Sequence, residues 1–123
     1  MEKNLIFINL SNHPSSSWTE AQKLEAAGYG EIRDWPFPVI PPEIDSDAVE
    51  AMAESYLQKI LELSGTAVVT IHLMGELTFC YKLINLLQEN KVKVVASTTK
   101  RNVAEFENGV KQSSFIFQRF REY

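Results

Sequence analysis

A near-continuous apolar run over residues 5–10 ends abruptly in Ser11-Asn12-His13-Pro14-Ser15-Ser16-Ser17. No other feature constrains the chain as strongly. A strand that is apolar at almost every position must be covered on both faces, the condition of a central strand in a parallel sheet. Parallel neighbours need crossovers of a dozen or more residues, usually helical, and the segments that follow can supply them. Ser17 and Glu20 have capping-box spacing, which predicts a helix from about Trp18 that stops at Gly28 or Gly30. Residues 31–35 read as a short second strand. Residues 36–42 hold most of the prolines and must be loop or sheet edge, because proline has no amide to donate.

Asp47 and Glu50 repeat the capping spacing. Behind them Val49, Met52, Ala53, Tyr56, Leu57, Ile60 and Leu61 recur at helical intervals up to Gly65. Residues 66–73, rich in β-branched side chains, predict a third strand, Gly75 and Glu76 open a third helix through Gln88, and residues 91–97 form a fourth strand. The tail changes rhythm: residues 103–106 and 110–120 flank Asn108-Gly109, a strong hairpin signal. The order predicts an α/β fold over residues 1–123 as a single domain. It is a Rossmann-like three-layer sandwich of four mainly parallel strands plus a C-terminal β-hairpin, with strand order 2-1-3-4 and the hairpin beyond. The third helix is apolar on more than one face, with Leu77, Cys80, Tyr81, Ile84 and Leu87 but also Phe79, Leu83 and Leu86. Such a helix is covered either by a partner, giving a homodimer, or by the C-terminal hairpin.

Composition narrows the function. Twelve basic against sixteen acidic side chains give a net charge of -4, which argues against a protein that coats duplex nucleic acid. No apolar run approaches the roughly 18 residues of a membrane span. Met1-Glu2-Lys3-Asn4 and the apolar residues after it are too short for a signal peptide and are expected to enter the first strand. The single cysteine, Cys80, cannot form an internal disulfide, so a reducing cytoplasmic setting and a buried thiol are expected. There is no phosphate-binding loop, no dinucleotide fingerprint and no nucleophile elbow, and His13 and His72 lack metal-ligand spacing. No cofactor and no metal are expected.

In an open parallel sheet, ligands bind outside the carboxyl ends of the strands. Three segments are predicted to meet there: residues 11–18 after the first strand, 72–76 after the third and 97–102 after the fourth. They bring hydroxyls, amides, two imidazoles, two cations and two helix N-termini, a set suited to a small anionic ligand such as a phosphate. Each piece has a plain structural alternative. The serines can be caps, Gly75 can serve a tight turn, Glu76 can complement a helix dipole, Lys100 and Arg101 can be solvated, Trp18 can be core, and His72 suits a structural role.

The first strand running into Ser11-Asn12-His13-Pro14-Ser15-Ser16-Ser17-Trp18 resembles the small stand-alone CARF-like proteins associated with type III CRISPR systems, a group that includes ring nucleases. The resemblance implies a homodimer that binds and cleaves a cyclic oligoadenylate messenger without metal, a ribose 2′-hydroxyl attacking the neighbouring phosphorus. It implies His13 as acid or base and Lys100 or Arg101 as stabilisers of the phosphorane. Ser11, Asn12, Ser15, Ser16, Thr98 and Thr99 would bind phosphate or ribose, and Trp18, Gly75 and Glu76 would lie against the ligand. Two rivals follow from the residues: a sensor or sponge that binds without cutting, and a protein-interaction module docking through the third helix and Phe115, Phe117 and Phe120.

Overall fold

The structure, a computed structural model, describes residues 4–123. Met1, Glu2 and Lys3, read above as the approach to the first strand, lie outside the described residues. The elements are β1 (Asn4–Ser11), a 3-10 turn (Ser15–Ser17), α1 (Glu20–Tyr29), β2 (Glu31–Pro36), α2 (Ser46–Ser64), β3 (Ala67–Met74), α3 (Leu77–Glu89), β4 (Lys93–Glu105) and β5 (Lys111–Glu122). They form one sheet in the order β2-β1-β3-β4-β5, parallel except for the antiparallel β4–β5 pair. The chain is thus the α/β sandwich with a C-terminal hairpin that the element order predicts.

Side chains alternate across a strand, and the sheet therefore has two distinct faces. Ile6, Ile8 and Leu10 of β1 and Val69, Ile71 and Leu73 of β3 pack with Val49, Ala53, Leu57 and Ile60 of α2 and Phe79, Cys80, Leu83 and Leu87 of α3. On the opposite face Phe7, Val95 and Phe120 pack with Trp18 and with Ala26 of α1. Crossovers in one sheet are right-handed. The step from β1 to β2 and the steps from β2 to β3 and β3 to β4 run in opposite directions, so α1 lies on one face and α2 and α3 on the other. The direction reverses between β1 and β3, and a crevice opens beyond the carboxyl ends of those strands.

Four expectations need correction. The helix after β1 is capped by Thr19, not Ser17: the Ser17 hydroxyl is spent on the Pro14 carbonyl at 2.7 Å, closing the 3-10 turn, and α1 begins at Glu20. The cap of α2 is Asp45, whose carboxylate accepts the Ala48 amide at 2.9 Å, and Asp47 sits in the first turn. The tail is not a separate hairpin. Residues 97–102, expected as a loop, continue β4, so the hairpin's first strand is the fourth strand itself. β3 pairs with β4 only from Thr70↔Lys93 to His72↔Val95, and beyond that β4 and β5 run on as a two-stranded arm. Its turn has three residues, with Gly109 at φ 81° after Glu107 and Asn108, rather than the two that Asn-Gly alone suggests. Finally, α3 is covered by the sheet and α2, with Phe79 edge-on to Tyr56 at 5.5 Å, and not by the hairpin. Leu77 and Tyr81 remain 82% and 71% exposed.

Gly30 shows how tightly β2 is laid against β1. At φ 153° any Cβ would collide with the Leu5 backbone, so only glycine lets α1 turn directly into β2. Among the described residues no helix is long and apolar enough to cross a membrane.

Candidate functional site

Beyond the ends of β1 and β3, on the α1 face, lies a cavity of about 550 Å3. Its walls come from the loop after β1 (Ser11, Asn12, His13, Ser17, Trp18), the start of α1 (Thr19, Gln22), the end of β3 (His72, Met74, Gly75) and the arm (Ser97, Thr99, Phe115, Phe117). The arm closes one side because a bulge at Thr98/Thr99 shifts the β5 alternation. Phe120, Phe117 and Phe115 therefore share one face with Ser97, Thr99 and Arg101. The Phe120 amide instead donates to Glu25 of α1 at 3.1 Å, which ties arm to helix.

A polar knot shapes the loop after β1. Asn9 is 1% exposed and is the lone polar residue within residues 5–10 of β1. Its Nδ2 donates to Asp34 Oδ1 on β2 and to the His13 carbonyl, both at 2.8 Å. Its Oδ1 accepts the Ser11 hydroxyl at 2.8 Å and lies 2.8 Å from His72 Nδ1 on β3. Asp34 also accepts the Ser15 amide at 2.9 Å and the Ser15 hydroxyl at 2.7 Å. Burial alone would raise the Asp34 carboxyl, but the Ser15 hydroxyl, Asn9 and the Ser15 amide outweigh it and hold its pKa below the ordinary value. The backbone of residues 11–15 is thereby fixed, while the His13 side chain stays exposed at the cavity.

His72 packs among aromatic rings: Phe7 stacked at 6.3 Å, Trp18 edge-on at 5.5 Å and Phe120 edge-on at 5.3 Å. Burial, and then the charge of His13, lower its pKa to about 4, so it is neutral near pH 7. At the junction of β3 and β4, where the ladder stops, the Ser97 amide and hydroxyl approach Met74 Sδ at 3.4 and 3.1 Å.

Of the residues singled out from sequence, Ser11, Asn12, His13, Trp18, Gly75 and Thr99 meet in this cavity. The others do not. Ser15 is committed to Asp34, Ser16 lies outside the walls, and the Thr98 hydroxyl donates to the Arg119 carbonyl at 3.0 Å. Glu76 caps α3, accepting the Thr78 and Phe79 amides at 3.1 and 2.8 Å. Those bonds hold its pKa low, led by that from Phe79, and a carboxylate already occupies the amides expected to meet a phosphate. Gly75 is demanded by packing, since a Cβ there would strike the Phe37 ring.

The largest correction concerns the two cations. Because residues 97–102 are strand, Lys100 falls on the face opposite Thr99 and does not join His13 and Gly75. Arg101 shares the cavity face but lies one step farther out, paired with Phe115, its guanidinium 3.0 Å from Ser113 Oγ. Cys80 is a buried thiol, pushed up to about 11 by burial and then by the charge of Glu76. Among the described residues no group of three or more His, Cys, Asp or Glu side chains is placed to hold a metal ion.

Sequence reasoning missed Asn9 and Asp34 beneath the site and gave His72 only a structural role. One signal was present: Asn9 is the lone polar residue within residues 5–10, and a buried amide needs partners. Thr19, Gln22 and Met74 carried no such signal. No curated protein matches the sequence. One family model covers residues 5–121 of the chain, which therefore belongs to the uncharacterized protein MJ1673 family.

Proposed function

We propose that the chain binds a nucleotide in this cavity, that the nucleotide is a cyclic oligoadenylate, and that a homodimer cleaves it without metal. The observation that carries the binding is the make-up of the walls at the β1/β3 crevice. Trp18, Phe115 and Phe117 offer an aromatic surface for a base, and Asn12, Thr19, Gln22 and Thr99 offer hydroxyls and amides for a ribose or phosphate. Among the described residues no lysine or arginine lines the cavity, so the base and ribose supply the contacts inside it. Arg101, set beside Phe115 by the strand register, meets phosphate at its edge. Lys100 has no part in this arrangement.

The ring-shaped ligand and the cleavage rest on the resemblance carried by Ser11 to Trp18. A symmetric ring calls for a symmetric site, hence two copies. In the step itself the 2′-oxygen attacks the adjacent phosphorus and the bond to the 5′-oxygen breaks. The products are a 2′,3′-cyclic phosphate and a 5′-hydroxyl, and His13 transfers a proton to or from one of those oxygens.

Incubating the protein with cyclic tetra- and hexa-adenylate in EDTA, then resolving the products, tests this. Linear products ending in a cyclic phosphate are expected. A stable complex with uncleaved ring would make the chain a sensor or sponge. Binding of neither ring would remove the reading and leave the protein-interaction module, with Leu77 and Tyr81 of α3 as its exposed apolar surface.

A further inference from the structure

His72 is the one side chain that the polar knot leaves unfinished. Its ring is 3% exposed, and among the described residues its Nε2 is a buried side-chain nitrogen with no hydrogen-bond partner. A buried polar atom left unpaired costs about 1–3 kcal/mol, so a folded chain rarely keeps one without use.

The partners of Asn9 settle which ring nitrogen carries the hydrogen. Asn9 Nδ2 faces the Asp34 carboxylate and the His13 carbonyl, both of which only accept. The amide orientation is therefore fixed, and the Asn9 atom facing His72 is its oxygen. An oxygen accepts, so His72 Nδ1 is the donor. In the neutral ring Nε2 then holds a lone pair. Nε2 belongs to the end of the ring farthest from the backbone, and His72 projects from β3 to the α1 side, where it forms part of the cavity wall. The chain Asp34–Asn9–His72, spanning β2, β1 and β3, thus delivers an acceptor with no freedom to become a donor.

We infer that His72 recognises the exocyclic amine of a nucleobase, adenine above all, through a hydrogen bond accepted at Nε2. The ligand group that fits must donate a hydrogen and lie among the aromatic walls of Trp18, Phe115 and Phe117, which favour a flat apolar face. A phosphate only accepts and is repelled from this atom. A ribose can donate but is neither flat nor apolar. A base with an exocyclic amine meets both demands, and its phosphates are left to the cavity mouth. This deepens the nucleotide reading and rests on it for the ligand, whereas the tautomer rests on geometry alone.

The test has two parts. Nitrogen-15 NMR of the ligand-free protein reads the tautomer, with Nδ1 expected in the protonated range and Nε2 in the unprotonated range. A hydrogen on Nε2 would overturn the inference outright. Adenosine, inosine and purine riboside 5′-monophosphates are then titrated. Purine riboside keeps the stacking surface and lacks the amine, and inosine places a carbonyl there. Adenosine monophosphate should bind about tenfold to a hundredfold more tightly than either and shift the Nε2 resonance.

The variant His72→Phe should lose that preference, so that the adenosine and purine riboside monophosphates bind it alike. Asn9 Oδ1 stays satisfied in it by the Ser11 hydroxyl, so the knot survives. Equal affinities for the adenosine and purine riboside compounds in the unaltered protein would sink the inference and spare the nucleotide reading. Binding of none of the three would overturn the inference, and the nucleotide reading is then decided by the cyclic tetra- and hexa-adenylate assay alone.

Discussion

The two faces of the sheet are built by different means. The face under α2 and α3 is closed by two helices, and its core is almost wholly aliphatic, with Ile8, Leu10, Ile60, Ile71, Leu73 and Leu83 fully buried. The other face has one helix, ten residues long, and its core is aromatic, centred on Phe7, Trp18 and Phe120 around a buried histidine. Two helices bury the β1 and β3 side chains on their face. One short helix leaves the carboxyl ends of β1 and β3 uncovered, and the β4–β5 arm walls the space without filling it. The closely packed core lies on the first face and the cavity on the second, because a cavity can persist only where packing is incomplete.

This division can be broken at several points. The largest effect belongs to the closed face: Leu83→Ala, at a fully buried position on α3, should cost about 3 kcal/mol in urea denaturation and leave ligand affinity unaltered. A comparable loss from Phe117→Ala, half-buried at the cavity, would contradict the division, since that change should weaken binding far more than folding.

Acid is the next lever. The folded-state pKa of His72 is about 4, below its ordinary 6.5, so the unfolded chain takes up the proton first. Its contribution is complete above pH 6.5 and is lost as pH falls from 6.5 to 4, a span worth about 3 kcal/mol. Denaturation midpoints measured across that range should fall in the native protein, and more shallowly in His72→Phe.

Asp34→Asn is smaller. It removes the charge that gathers Asn9 and Ser15 and should cost about 1 kcal/mol of stability while loosening residues 11–15. Faster amide exchange confined to those residues would show it. The arm's cations come last. Lys100→Ala and Arg101→Ala should each change stability by less than about 0.5 kcal/mol. Arg101→Ala should weaken nucleotide binding in a salt-dependent way and Lys100→Ala should not. Equal losses from both would mean that the arm's opposite faces are not distinguished by the ligand.

Much of the fold was legible along the chain. The apolar period of β1, the helical recurrence of Val49 to Leu61 and the Asn108-Gly109 turn are local patterns, and each element they predict is present. The errors arose where a local pattern met a distant partner. Ser97-Thr98-Thr99 has the polarity of a loop, yet threonine suits a strand once β5 supplies a ladder beside it. Ser17 has the spacing of a cap, yet its hydroxyl finds the Pro14 carbonyl first. The hydrogen bond that orients His72 comes from Asn9, 63 positions earlier, which Asp34 of β2 holds in turn.

The sequence by itself determined the order of the elements and, through their periods, which side chains share a face, because both follow from residues only a few positions apart. Only the tertiary structure decided that β4 runs on past the sheet, that Lys100 is carried away from His13 and Gly75, and that His72 Nε2 has no partner among the described residues. Those outcomes depend on strand register and on hydrogen-bond partners drawn from three strands, and no short stretch of chain contains that information.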